Sequence, residues 1–315
     1  MVYIICSDYF LNPYIEKSLD KKVYIKKIII KEYKNLFFKL IKKIIIFFYG
    51  LKPFLNISSL QEIEIGTNDT VIFFDIIDPK ILKEILNFFP CKRKIFWIWN
   101  TIDKKQIKNI DYLKKISKDI WTFDEKDAEK YKLKFREQFH FIEISDMSLE
   151  EKNQLFFIGI DKGRIEKIKN LDRIFNNFFN IKTKILIKKD KFKRYKKEEQ
   201  KYFINNLLPY EEVTKELKSS KYILDIVKEG QTGLTLRVLE AVFYCKKLIT
   251  NNKEIIKYDF YNPNNILIIE DMNKISQETI KKISEFVEIE YERIDKSILK
   301  KYMIENWLET ILQKN

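Results

Sequence analysis

Short apolar runs alternate with polar, helix-length segments along most of the chain, and this rhythm predicts a parallel sheet covered by helices on both faces. In the first half the runs at 2–6, 23–30, 71–74, 95–99, 119–123 and 139–144 read as strands. Several are continuous in Val, Ile, Phe or Trp, as strands buried on both faces require. Pro79 suits the first turn of a helix over 80–89, and Asp124 suits the cap of one over 125–133. In the second half, strands are expected over 155–159, 182–187, 222–226, 247–250 and 266–269. Helices run from Arg164 to Phe179, up to Ser219, onward from Leu234, and over 276–287 and 296–313. The polar segment 145–154 lacks strong periodicity and is the expected link, giving domains 1–150 and 151–315.

The segment 221–252, KYILDIVKEGQTGLTLRVLEAVFYCKKLITNN, organises the second half. It reads as strand, polar loop, amphipathic helix and strand. Its loop, 228–233, holds two of the six glycines in the chain. Leu234, Val238, Ala241 and Val242 recur at helical spacing, while Thr235, Arg237 and Glu240 interrupt the apolar series. A helix N-terminus pointing at such a loop favours an anion, so a phosphate or diphosphate near Gln231, Thr232 and Gly233 is a reasonable guest. Glu240 is placed to accept hydrogen bonds from a ribose diol. The loop is neither a GxGxxG nor a GxxxxGK[ST] signature, and strand, glycine loop and helix recur in every doubly wound protein.

Composition narrows the classes. With 315 residues, 45% hydrophobic and 15% aromatic, the chain is long and apolar enough for two packed domains. Its net charge of +14 draws it to phosphates. Cys6, Cys91 and Cys245 are odd in number and lack CxxC spacing, so they read as buried thiols. The single histidine, His140, lies in the apolar run FHFIEI and reads as structural, which leaves no support for a His/Cys metal site or a Ser-His-Asp triad. Residues 1–6 lack a basic leader and a cleavage site, and no apolar run reaches the eighteen or so residues of a spanning helix. A cytoplasmic protein is expected.

Other segments carry candidate chemistry. Asp8, just past the first strand, is either a helix cap or an acceptor-side carboxylate. The stretch 31–49 mixes Phe and Ile with Lys34, Lys39, Lys42 and Lys43. It fits either a basic amphipathic helix on an anionic membrane surface or a packed helix with snorkelling lysines. Trp97 and Trp99 share a strand face, as a sugar platform or as core. The basic run 188–201, KKDKFKRYKKEEQK, looks like a solvated insertion or mobile loop. Its interleaved aromatics are the one nucleic-acid-like feature, without an accompanying RRM, KH or helix-turn-helix pattern.

The segment EGQTGLTLRVLEAVFYCKKLITNN followed by YDFYNPNNILII resembles the nucleotide-sugar-binding half of GT-B glycosyltransferases. The likeness is to bacterial capsule and lipopolysaccharide enzymes with a QTGLT-x-R-x-x-E pattern, and it runs from about 155 to 270. It implies an α/β fold of two Rossmann-like domains facing across a cleft, an acceptor-side domain followed by a donor-binding domain whose C-terminal helices can cross back. It also implies a metal-independent transferase that uses a UDP-linked sugar as substrate, needs no cofactor, binds no nucleic acid, and works peripherally on the inner face of the cytoplasmic membrane. The acceptor is a glycan or a lipid-linked glycan of cell-surface polysaccharide assembly. FFIGIDKGR matches the first donor-domain loop, which assigns Gly159 and Arg164 to the diphosphate. Gln231, Thr232, Gly233, Leu234, Thr235, Arg237 and Glu240 complete the donor-binding set. Retaining families place two glutamates eight positions apart, whereas Glu229 and Glu240 are eleven apart. Glu229 and Asp8 stand as the catalytic candidates, with inversion or retention open. An alditol-phosphate transferase and a basic nucleic-acid-binding protein are the alternatives.

Overall fold

The computed structural model describes residues 1–7, 15, 23–30, 55–56, 65–141, 151–190, 193–206 and 208–313. Asp8, the stretch 31–49, the end of the expected strand 139–144 from 142 on, and residues 145–150 of the expected link 145–154 lie outside the described residues, whereas 152–154 open a strand rather than a link. The chain forms two compact α/β units, Met1–Arg136 and Glu137–Asn315.

The first unit is built on a seven-stranded sheet in the order β3-β2-β1-β4-β5-β6-β7. Its strands are β1 (Val2–Ser7), β2 (Val23–Ile30), β3 (Leu55–Asn56), β4 (Thr70–Phe74), β5 (Arg93–Ile98), β6 (Asp119–Thr122) and β7 (Lys134–Phe135). All pairings are parallel except β2 with β3. Helices span Pro79–Ile85, Ile107–Ile116 and Glu125–Tyr131. Asp78 caps the first, its carboxylate accepting from Lys80 N at 2.8 Å, and Pro79 opens it where no N–H is needed. Asp124 caps the third through Asp127 N at 3.1 Å. Val71, Phe73, Phe96 and Ile98 pack against Leu82, Ile85, Phe89, Ile110 and Leu113 as one core, with Phe73 stacked on Phe96 at 4.8 Å. Trp97 is fully buried in β5, whereas Trp99 lies beyond the strand end, half-buried and tilted against Phe74. The pair is therefore not one platform.

The second unit has six strands, all parallel, in the order β10-β9-β8-β11-β12-β13. They are β8 (Lys152–Ile160), β9 (Lys182–Lys188), β10 (Phe203–Ile204), β11 (Ser220–Asp225), β12 (Lys247–Thr250) and β13 (Ile266–Ile268). The helices Ile165–Phe179, Tyr210–Ser219, Leu236–Phe243 and Gln277–Glu288 cover the sheet, and Lys296–Lys300 and Ile304–Leu312 follow. Leu155, Phe157, Tyr222, Leu224 and Ile249 from the strands meet Ile168, Leu171, Phe175, Ile283 and Phe286 from the helices.

Three local expectations change. The described part of 139–144 is not a strand of the first sheet. His140 N donates to Tyr302 O at 2.7 Å and His140 O accepts from Ile304 N at 2.8 Å, a parallel bridge inside the second unit. Phe139 packs on Trp307 there at 4.3 Å. The basic run is solvated along its lysines but anchored, since Lys197–Tyr202 forms a 3₁₀ helix with Glu199 and Tyr202 buried, and Tyr195 packs on Phe203 at 4.4 Å. The third change is the helix expected over 296–313, which is two short helices. Among the described residues no helix is long and apolar enough to cross a membrane. All three cysteines are buried and none is in a disulfide.

Candidate functional site

The second sheet reverses its strand order between β8 and β11, and the crevice outside the C-terminal ends at such a reversal is where open α/β sheets hold ligands. Two loops leave the sheet there, 161–164 after β8 and 226–235 after β11.

The first loop turns by left-handed backbone at Lys162, φ 44°, and Gly163, φ 81°. A side chain at Gly163 would meet no protein atom within 4 Å, so glycine is needed for the backbone and not for packing. Gly159 has a different part, because it is still in β8. A Cβ there would stand 3.4 Å from Phe157 Cζ and 3.6 Å from Arg164 Nη1, so the guanidinium lies against the bare strand. Asp161, fully buried, receives Ile165 N at 2.8 Å, Lys193 Nζ at 2.8 Å and Tyr195 OH at 3.0 Å. Burial works to raise its carboxyl, but these three partners outweigh it and hold it below the ordinary range.

Arg164 ends this loop and starts the helix Ile165–Phe179. Of its five donors, Nη1 makes a long 3.5 Å bond to Ile160 O, and Nε is buried without a partner among the described residues. Burial pushes the guanidinium down, opposed by the charges of Asp225, Asp161 and Asp190. Lys162 is pushed down by burial and then by Lys228 and Arg164, with Asp190 opposing. Lys162 is thus repelled by a cation of each loop, Arg164 and Lys228, an arrangement that an anion relieves, while Arg164 has the carboxylates of Asp225, Asp161 and Asp190 around it.

The second loop contains Glu229, exposed, and Gly230 with φ 83°. Gln231 is half-buried, with its N donating to Lys228 O at 3.1 Å and Nε2 to Gly233 O at 3.5 Å. Thr232 and Gly233 are buried, and Thr232 O accepts from Asn252 Nδ2 at 3.2 Å. Leu234 is fully buried as the apolar anchor. Thr235 caps the following helix, which begins at Leu236, two residues later than the spacing suggests. Its hydroxyl accepts from Val238 N at 3.3 Å and donates to Asp225 Oδ1 at 2.8 Å. Asp225, at the end of β11, also receives Thr250 Oγ1 at 3.0 Å. Burial pushes its carboxyl up, against Thr235, Arg164, Thr250 and Arg237.

Glu240 is 1% exposed. Its Oε1 accepts from Tyr210 OH at 2.7 Å, and Oε2 stands 2.6 Å from Arg237 Nη1, within ion-pair range but off the line of a hydrogen bond. Burial raises its carboxyl, opposed by Arg237 and Tyr210.

The structure therefore gathers Gly159, Arg164 and the loop 229–235 at the C-terminal edge around β8 and β11, and places Arg237 and Glu240 in the helix that follows. It adds Lys162, Lys228, Asp161, Asp225 and Thr250, which the sequence reading missed. An acid closing an apolar strand, as Asp225 closes YILD, was the available signal for one of them. Among the described residues no group of three His, Cys, Asp or Glu is placed to hold a metal.

No protein-family model matches the sequence, and no curated protein matches it. The fold, however, is shared with solved glycosyltransferases. An alpha-glucosyltransferase in complex with UDP-glucose and DNA containing an abasic site aligns over 99% of each chain at 8% identity and TM-score 0.58. The UDP-forming alpha,alpha-trehalose-phosphate synthase from Burkholderia xenovorans, bound to glucose-6-phosphate, aligns over 99% of this chain and 100% of its own, at 8% and 0.55. TarM aligns over 82% of this chain, which spans 59% of TarM, at 12% identity and 0.53. The chain has the GT-B glycosyltransferase fold.

Proposed function

We propose that the protein is a glycosyltransferase that moves a sugar from a UDP-linked donor to a glycan or lipid-linked acceptor in cell-surface polysaccharide assembly. The observation that supports this most is Arg164, an under-bonded guanidinium at the strand-order reversal, beside two further cations. When a glycosidic bond to a nucleoside diphosphate breaks, negative charge grows on the leaving phosphate. Fixed cations in a partly desolvated site favour that change without reorganising. Arg164, Lys162 and Lys228 take the diphosphate, and Gly230 keeps the loop close to it. Gln231 and Thr232 serve phosphate or sugar hydroxyls. Glu240 takes the ribose diol at Oε2, the oxygen held by an ion pair without a hydrogen bond. UDP is favoured because two of the similar structures are named for UDP chemistry.

In this reading the unit Met1–Arg136 is the acceptor side and Glu137–Asn315 the donor side, and the stretch 31–49 holds the enzyme reversibly on anionic membranes. Salt-sensitive sedimentation with anionic but not neutral vesicles tests that attachment. The function itself is tested by incubating the protein with UDP-sugars and following UDP release, with oligosaccharide, lipid-linked and DNA acceptors in parallel. DNA is included because one similar structure is a DNA complex and the chain carries +14. UDP release stimulated by a glycan or lipid-linked acceptor supports the reading. Stimulation by DNA alone contradicts its acceptor, and no release from any donor contradicts the activity.

A further inference from the structure

The second unit carries a groove of about 450 Å³, inside the range of roughly 300 to 1,000 Å³ typical of small-molecule sites. It runs between the helix Ile165–Phe179 and the 3₁₀ helix Lys197–Tyr202. Lys169, Arg173, Asn176 and Asn177 stand three or four positions apart, or side by side, and so share one face of the first helix. Glu198 and Lys201, three positions apart, line the groove from the second. None of these residues belongs to the two donor loops.

The floor is fixed. Asp172, 5% exposed, accepts from Asn176 Nδ2 at 2.6 Å, from Lys201 Nζ at 2.8 Å and from the hydroxyls of Thr183 and Tyr202. Both carboxylate oxygens are therefore in use, and they tie the two helices to β9. Lys169 is also in use, with its Nζ 3.2 Å from both Glu166 and Glu199. What remains spare is of both kinds. Arg173 makes one bond, from Nη2 to Asn170 Oδ1 at 3.2 Å, so most of its five N–H donors are open. Asn176 gives its Nδ2 to Asp172 and Thr183 and keeps its Oδ1. Asn177 and Glu198 have no hydrogen bond or ion pair among the described residues. An anion would be drawn by Arg173 and repelled by Glu198, and a cation the reverse, so the groove favours neither sign. A hydroxyl donates once and accepts twice, so it is served by both.

We propose that this groove binds a neutral glycan, with one sugar unit seated among Arg173, Asn177 and Glu198; that this glycan is the acceptor or product of the enzyme rests on the glycosyltransferase reading. Sugar hydroxyls accept from the guanidinium and the Asn177 amide and donate to Glu198 and Asn176 Oδ1. Because Asp172 sets the floor before any ligand arrives, little ordering is lost on binding. The helix that lines the groove starts at Arg164, and at about 1.5 Å per residue the groove lies roughly 8 to 20 Å along its axis from that end. A chain held there stays on the donor unit between transfers, a second point of attachment that raises the effective concentration of its growing end.

The test uses the full-length protein as wild type, as Arg173→Ala with Glu198→Ala, and as Asn177→Leu, which removes the amide and narrows the groove. All three side chains are exposed, so Tm without ligand is expected to stay at the wild-type value. The probes are maltohexaose, cellohexaose, laminarihexaose and chitohexaose, with dextran sulfate as the anionic control, each measured by isothermal titration at low and high salt. Wild type is expected to bind at least one hexasaccharide with an affinity that salt does not change. Both variants should lose about tenfold or more, with the UDP-induced rise in Tm intact. In turnover, KM for that hexasaccharide rises by the same factor while kcat, and KM for the matching monosaccharide, stay unchanged. Equal hexasaccharide affinity in all three proteins, no hexasaccharide bound by wild type, or binding of dextran sulfate alone overturns the inference and leaves the donor reading standing. Hexasaccharide binding that the variants lose, in a protein that UDP does not stabilise, supports the groove and overturns the donor reading instead.

Discussion

Thr235 donates its hydroxyl hydrogen to Asp225 at 2.8 Å while accepting Val238 N at 3.3 Å, so one side chain closes the β11 loop and caps the helix after it. Thr235→Ala removes the cap and takes a donor from a buried carboxylate. A loss of about 2 kcal/mol is expected, with Thr235→Ser recovering most of it. Urea denaturation measures both, and an alanine variant as stable as wild type would show that the hydroxyl is not holding the loop.

Asp161 ties the basic segment to the β8 loop through Lys193 and Tyr195, and its other oxygen receives Ile165 N. Asp161→Ala releases the segment. Trypsin is expected to cut within 193–201 several times faster than in wild type, because these lysines are exposed once the backbone can open. An unchanged cleavage rate there would mean that Glu199 and Tyr202 hold the segment by themselves.

Lys247 is 1% exposed, donates to Phe286 O and Ile289 O, and lies 4.2 Å from the Phe286 ring. Burial, then the charge of Lys221, lowers its ammonium to about 8 from 10.5, with Glu290 opposing. The unfolded chain therefore binds more protons than the folded one between those values, so Lys247 makes stability rise with pH across about 8 to 10.5. The gap in unfolding free energy between wild type and Lys247→Met should move in favour of wild type between pH 7.5 and pH 10. A constant gap would show that Lys247 titrates normally in the folded protein.

Local patterns showed much of the fold before the structure did. The strands Val23–Ile30 and Lys247–Thr250, the helix that Pro79 opens and the one that Asp124 caps follow from apolar runs and helix-start chemistry. What was hidden depends on residues far apart in the chain. Phe139 and His140 pair with Met303 and Trp307, and Lys193 reaches back to Asp161; neither is visible in a local window. At the site, the pattern marked both loops but could not say which glycine turns left-handed. Gly163 does so, whereas Gly159 stays in the strand. It also missed Asp225, because a strand-end acid looks the same whether it faces solvent or laces two loops together.

The most direct measurement is UDP binding by isothermal titration to wild type, Arg164→Ala and Arg164→Lys at one ionic strength. Charge-assisted hydrogen bonds of about 1.5 to 3 kcal/mol correspond to roughly ten- to hundredfold in affinity. Wild type should bind, Arg164→Ala should lose about that factor, and Arg164→Lys should fall between them because an ammonium replaces the charge but not the fork. Equal UDP affinity in all three, or no binding by wild type, would contradict the assignment of this loop to a nucleotide-sugar diphosphate.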